Sequence, residues 1–199
     1  GTKVPISLMY KKGINLEKAP LLQYGYGSYG LVIEPSFKLA FMPLIEQGFI
    51  FAIAHIRGGQ DLGKDWYDQG RMMNKMNTFY DFIDCTKKLH SKNIGNRNNT
   101  FAMGGSAGGL LMGVIINLEP QLYKGIVSAV PFVDVLTTMS DESIPLTTFE
   151  YKEWGNPNNK KEYFYIKRYS PYDNIDFKPY PSVLVTSSLY DSQVQYFEP

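Results

Sequence analysis

Thr100-Phe101-Ala102-Met103-Gly104-Gly105-Ser106-Ala107-Gly108-Gly109-Leu110-Leu111-Met112 is the stretch whose reading decides the fold. Its first part reads as a short strand, and a small-residue apolar helix follows from Ala107 to Leu118, stopped before Pro120. Between them stands Gly104-x-Ser106-x-Gly108, the strand–turn–helix setting of a nucleophile elbow. A turn this tight leaves no room for side chains beside the serine. Glycines two residues to either side relieve the clash and leave the hydroxyl exposed above the sheet edge. The N–H of Ala107, at the start of the helix, faces a developing oxyanion and gains from the helix dipole. The plainer alternative is a Gly-rich turn in which Ser106 merely caps the helix. Phosphate binding fits less well, because no G-K-[ST] follows and no acidic residue is placed for a ribose.

Outward from this segment the chain alternates strands and helices. Strands are expected at Val4–Tyr10, Leu21–Tyr24, Phe49–Ala54, Gly125–Val130 and Ser182–Thr186, and helices at Phe37–Gln47, Asn77–His90 and Glu162–Arg168. The continuous apolar run Phe49–Ala54 reads as a strand buried on both faces. The pattern predicts an α/β class, a partial α/β-hydrolase fold with a mostly parallel sheet and helices on both faces. The polar stretch Asn156–Lys161 reads as a surface turn, and there are no internal repeats.

Composition narrows the function. A length of 199 residues suits one hydrophobic core, and 44% apolar with 20% charged residues is that of an ordinary globular protein. A net charge of +1 gives no electrostatic case for nucleic acid or an anionic membrane as partner. No apolar run approaches the roughly 20 residues needed to cross a bilayer. The single cysteine, Cys85, rules out an internal disulfide and a Cys-rich zinc site, and is expected to be a buried filler in a helix. No metal and no cofactor are expected. A reducing compartment is permitted, so a cytoplasmic location is the expectation, with the periplasm as the alternative. The opening Gly1-Thr2-Lys3-Val4-Pro5 suggests a piece of something longer.

A serine nucleophile needs a base and a group to orient it, and in this fold they follow in the order Ser, Asp/Glu, His. Asp191, just after the late strand, is the candidate acid; Asp134, after the strand ending near Val130, competes with it. His55 and His90 both precede Ser106 and so stand on the wrong side. His55 is expected to fix a loop, His90 to sit at a helix C-terminus. The base is expected downstream of Pro199.

Gly104-Gly105-Ser106-Ala107-Gly108-Gly109-Leu110-Leu111 resembles the nucleophile segment of the prolyl oligopeptidase family of serine peptidases, and within it the oligopeptidase B branch. Further blocks agree in the family's order: Tyr24-Gly25-Tyr26-Gly27-Ser28-Tyr29-Gly30, Ala54-His55-Ile56-Arg57-Gly58-Gly59, Val130-Pro131-Phe132-Val133-Asp134, Glu153-Trp154-Gly155-Asn156-Pro157 and Asp191-Ser192-Gln193-Val194-Gln195-Tyr196. The resemblance implies Ser106 as acylated nucleophile and Asp191 as triad acid. It implies an oxyanion hole from the Tyr26 hydroxyl and the Ala107 N–H, and Tyr29 as a wall of the substrate site. Relatives of this type cleave short peptides after Arg or Lys, and Glu150 falls where the family places its first pocket acid. Lys152 stands where a second acid is expected; pointing into the pocket, it would repel a basic side chain. The resemblance also implies an N-terminal β-propeller and a C-terminal segment bearing the histidine, both outside this chain, so the chain alone is expected to be an incomplete peptidase. An esterase or acyl-aminoacyl peptidase of the same fold, or a non-catalytic truncated hydrolase domain, are the alternatives.

Overall fold

A computed structural model describes residues 1–199. In chain order the elements are β1 (Ile6–Met9), β2 (Leu21–Tyr24), α1 (Met42–Glu46), β3 (Ile50–Ala54), α2 (Lys64–Asp68), α3 (Met76–Ser91), β4 (Thr100–Gly105), α4 (Ala107–Leu118), β5 (Gly125–Ala129), α5 (Val135–Ser140), α6 (Thr147–Trp154), α7 (Lys160–Lys167) and β6 (Ser182–Thr186). They build one six-stranded sheet in the order β1-β3-β2-β4-β5-β6. Only β1 runs antiparallel to its neighbour. This is the mostly parallel α/β sheet that the alternation predicted.

Strands β1, β3 and β5 and helix α3 differ from the sequence reading by one or two residues at an end, and helices α2, α5 and α6 were not expected. Two further differences have a local reason. The helix expected over Phe37–Gln47 shrinks to α1, preceded by a 3₁₀ turn at Leu39–Phe41. Pro43 is the cause: proline fits the first helical turn, where its missing N–H costs nothing, but not the interior. Conversely, α7 starts two residues before the expected Glu162, because the Asn159 side chain accepts the N–H of Lys161 and caps the helix there.

The core is unequal on the two faces. Helices α3 and α4, with α5 to α7 beyond them, bury the larger cluster, which includes Phe79, Phe82, Leu110, Leu111, Ile115 and Trp154. The other face is covered by α1 through a small cluster of Leu22, Ile45, Phe51 and Ile53. Strand β3 is buried throughout because alternate residues point to opposite faces: Phe51 and Ile53 toward α1, Ala52 and Ala54 toward α3. Edge strand β6 is exposed along its whole length.

Topology sets where a ligand can sit. From β2 the chain turns over the α1 face to β3; after β4 it turns over the opposite face into α4. The loops after these neighbouring strands diverge and open a crevice at their carboxyl ends, the usual ligand position in such sheets. Register brings the remaining loops level with it: Gly105 pairs with Ala129, and Ala129 with Thr186.

Candidate active site

Ser106 occupies that crevice in a strained conformation, φ 54° and ψ −117°. Left-handed φ is unfavourable for a residue with a Cβ, so the surroundings must impose it. They do so through the backbone. The Ser106 N–H donates to Ala129 O at 2.9 Å, and the Ser106 carbonyl accepts from Gly109, Leu110 and Phe132 at 2.8, 3.2 and 3.2 Å. Glycine at 104 is obligatory, since a Cβ there would lie 2.2 Å from the Gly108 carbonyl oxygen. Although Ser106 is the N-cap residue of α4, its hydroxyl makes no capping bond. The simple-cap alternative is therefore not what the serine does. Its side chain is left to the crevice, and the N–H of Ala107, first in the helix, has no intrahelical acceptor.

A pocket of about 330 Å³ opens there, lined among others by Ser106, Ala107, Tyr26, Tyr29, Phe132 and Glu150. Tyr26 and Tyr29 come from the loop after β2, where Gly27 and Gly58 approach so closely that a Cβ on Gly58 would meet the Gly27 carbonyl at 2.0 Å. Burial raises the Tyr26 phenol above its ordinary value, while its interaction with the Ser106 side chain pulls the other way. The phenol thus stays a neutral donor beside the serine at physiological pH.

Opposite the serine, α6 supplies the acids. The Glu150 carboxylate accepts from the Tyr29 hydroxyl at 2.8 Å and from Trp154 Nε1 at 3.1 Å through Oε2. Lys152 does not join it. Two residues apart on a helix point to different sides, and Lys152 is exposed and outside the pocket lining. Glu153, three residues after Glu150, is a buried acid that sequence reasoning missed, and it does not line the pocket. It is 4% exposed, and its two oxygens accept from the Tyr29 N–H at 2.9 Å and the Tyr67 hydroxyl at 2.6 Å. The i, i+3 spacing from Glu150 was the available signal.

Asp191 lies in the loop after β6. Its Oδ1 accepts the N–H groups of Val194 and Gln193, both at 2.9 Å, which hold the carboxyl below the usual carboxylate range. Gln193 and Val194 line the pocket, whereas Asp191 does not. Its Oδ2 takes part in no hydrogen bond within the chain. Asp134, the competing acid, precedes α5 and its buried Oδ1 has no partner. Beside it Glu198, also missed from the sequence, accepts the N–H groups of Val133 and Asp134 and the Thr138 hydroxyl; burial raises its carboxyl above the ordinary value.

Neither histidine reaches Ser106. His55 Nε2 faces Ser7 Oγ at 2.8 Å and its Nδ1 faces Asp61 at 2.8 Å, so it ties the loop after β3 to β1. His90 Nε2 faces Thr100 Oγ1 at 2.8 Å at the start of β4, the end away from the elbow; burial and then Arg97 lower its pKa. No helix is long and apolar enough to cross a membrane.

Comparison with known proteins places this geometry in context. The model of the "Prolyl oligopeptidase family" matches residues 35–199. The chain is 54% identical, over its full length, to dipeptidyl aminopeptidase BI of Pseudoxanthomonas mexicana, of which it covers 28%. It is 50% identical to protease 2 of Moraxella lacunata, covering 100% of the chain and 29% of that protein. Among solved structures, oligopeptidase B from Trypanosoma brucei with covalently bound antipain superposes with a TM-score of 0.98 at 49% identity, covering 100% of this chain and 28% of that one. The chain thus spans under a third of the length of these relatives.

Proposed function

The chain belongs to the prolyl oligopeptidase family, and from that premise we propose that it is the nucleophile-bearing part of an α/β-hydrolase domain in a serine oligopeptidase cleaving short peptides after Arg or Lys. One observation carries the reading. A strained serine, excused from capping its helix, opens on a pocket that contains the Glu150 carboxylate.

In this reading Ser106 Oγ attacks the scissile carbonyl carbon and its proton passes to an imidazole. The carbonyl oxygen becomes an oxyanion held by the Tyr26 hydroxyl and the Ala107 N–H. Collapse expels the amine, which takes the proton, and water repeats the sequence on the acyl-enzyme. Asp191 orients the imidazole through its uncommitted Oδ2. Because His55 and His90 are both engaged elsewhere, that imidazole comes from outside residues 1–199. These residues alone are then an incomplete peptidase. The pocket suits a basic P1 side chain: an apolar lining that includes Phe132 receives the aliphatic stem, and Glu150 forms a charge-assisted hydrogen bond with its head.

The test is fluorophosphonate labelling of the full-length protein, followed by cleavage of Arg, Lys and neutral substrates. Labelling at Ser106 with preference for basic P1 residues is expected. A folded full-length protein inert to the probe would end the reading. A dipeptidyl aminopeptidase, the activity named for the Pseudoxanthomonas relative, is the second reading. Peptides of increasing length with free and acetylated N-termini separate the two.

A further inference from the structure

Burying an ammonium is costly unless hydrogen bonds replace its hydration. Lys75, immediately before α3, is 1% exposed, and burial pulls it down to about 8 against the opposing pull of Glu153. Its Nζ has three neighbours. It donates to the Gly27 carbonyl at 2.7 Å and to the Ser28 hydroxyl at 2.7 Å, and lies 4.9 Å from the centre of the Trp154 ring. Both acceptors belong to the short turn between Tyr26 and Tyr29, and Ser28 is itself fully buried. At the end of that turn, Glu153 accepts the Tyr29 N–H. The loop is therefore gripped by a cation beneath Gly27 and Ser28 and by an anion at Tyr29. The same helix that supplies Glu150 supplies Glu153 and Trp154.

We propose that Lys75 is a positioning residue for the oxyanion loop, acting through Gly27 and Ser28 to hold the Tyr26 hydroxyl beside Ser106. It touches neither substrate nor reacting atoms. The assignment rests on the peptidase reading above. A donor to an oxyanion must be placed within a few tenths of an ångström to act, and a 1 Å error in such a site costs on the order of 10²-fold in rate. A merely structural lysine would weaken the fold without sensing whether Tyr26 carries its hydroxyl.

The experiment is a double-mutant cycle in the full-length protein with Lys75→Met and Tyr26→Phe, reading kcat and KM on an Arg substrate. Lys75→Met is expected to lower kcat by about 10- to 100-fold with KM changed less than about threefold. In the Tyr26→Phe background, where kcat has already dropped roughly 10²-fold, adding Lys75→Met should cost almost nothing more. Full additivity of the two losses, or an unchanged kcat in Lys75→Met, overturns the proposal. Should Lys75→Met not fold, Ser28→Ala removes one acceptor and leaves the ammonium on Gly27. Its kcat loss, about threefold on the same argument, should vanish in the Tyr26→Phe background, and its persistence there also overturns the proposal. A wild type that fluorophosphonate labels at Ser106, with a kinetically silent Lys75→Met, sinks only the Lys75 role. A wild type that is not labelled sinks both.

Discussion

Ser7 and Ser106 make an instructive pair, because the residue that most resembles a triad member on paper is not at the elbow. Ser7 Oγ lies 2.8 Å from His55 Nε2, and His55 Nδ1 lies 2.8 Å from Asp61, the hydrogen-bond pattern of a catalytic triad. Ser106 has no histidine within reach among these 199 residues. Their backbones differ. Ser7 sits in mid-strand opposite Ile53, with its peptide N–H groups in the plane of the sheet and its side chain perpendicular to it. No helix begins beside Ser7, and no positive φ pushes its hydroxyl forward. At Ser106 the chain accepts a φ of 54° and leaves the hydroxyl uncommitted beside the first N–H of a helix. Serine, histidine and aspartate in a row are easily assembled as a clamp. A strained bend aimed at unpaired N–H groups is not, and it is the feature that points to acyl transfer.

The sharpest way to break this comparison is to delete each serine. Ser106→Ala in the full-length protein should abolish fluorophosphonate labelling and lower kcat by about 10⁶-fold, the scale seen when a triad serine is lost. Peptide mapping should find no labelled serine in that variant. Adduct at Ser7 would mean that hydrogen-bond pattern alone suffices, and the contrast would fail.

The elbow was legible in the sequence because its requirements are local: Gly104 must lack a Cβ and Ser106 must sit between strand and helix. The same holds for β2, α4 and β6, whose limits are those read from pattern alone. Less legible was whatever depends on elements distant in sequence. Glu153 reads as one more charge on a helix until the Tyr29 N–H, 124 residues away in sequence, docks on it. Nothing local in the sequence singles out Lys75; its role depends on Gly27, 48 residues away, coming within hydrogen-bond distance. Lys152 was uncertain from sequence for a different reason: the sequence reading places no helix there, and only once Thr147–Trp154 is helical does a two-residue spacing turn Lys152 away from Glu150.

A second prediction tests whether the elbow's advantage lies in its donors. Tyr26→Phe keeps the ring and removes the hydroxyl, and should lower kcat by roughly 10²-fold while leaving Ser106 reactive toward the probe. An unchanged kcat would reduce Tyr26 to packing and leave the Ala107 N–H as the donor the elbow itself supplies. Smaller again is the effect of Glu150→Gln. The amide oxygen can still accept from Tyr29 and Trp154, so the pocket keeps its shape while losing its charge. A charge-assisted hydrogen bond contributes about 1.5–3 kcal/mol, so kcat/KM for Arg substrates should drop about 10- to 100-fold and that for neutral substrates should not. Equal losses on both would remove Glu150 from P1 recognition.

The smallest expected effect belongs to Ser7, and it decides whether the clamp is only a clamp. In Ser7→Ala, His55 loses its Nε2 partner but keeps Asp61 at Nδ1, and its carbonyl still accepts Trp66 Nε1 at 3.0 Å. One hydrogen bond of this kind contributes about 0.5–1.5 kcal/mol, so the urea midpoint should fall by the corresponding amount. The loop that His55 anchors continues to Gly58, whose carbonyl accepts the Gly30 N–H at the end of the Tyr26–Tyr29 turn. That path gives the clamp a route to the active loop. Lys75 and Glu153 already hold the turn at Gly27, Ser28 and Tyr29, however, and they leave little slack for a distant bond to take up. Labelling at Ser106 should be unaltered in Ser7→Ala and kcat should stay within about threefold, the residual scale for one distant, partly redundant hydrogen bond. A loss of tenfold or more would show that Ser7 and His55 contribute to the elbow's reactivity across the sheet, and the two serines would have to be treated as one device.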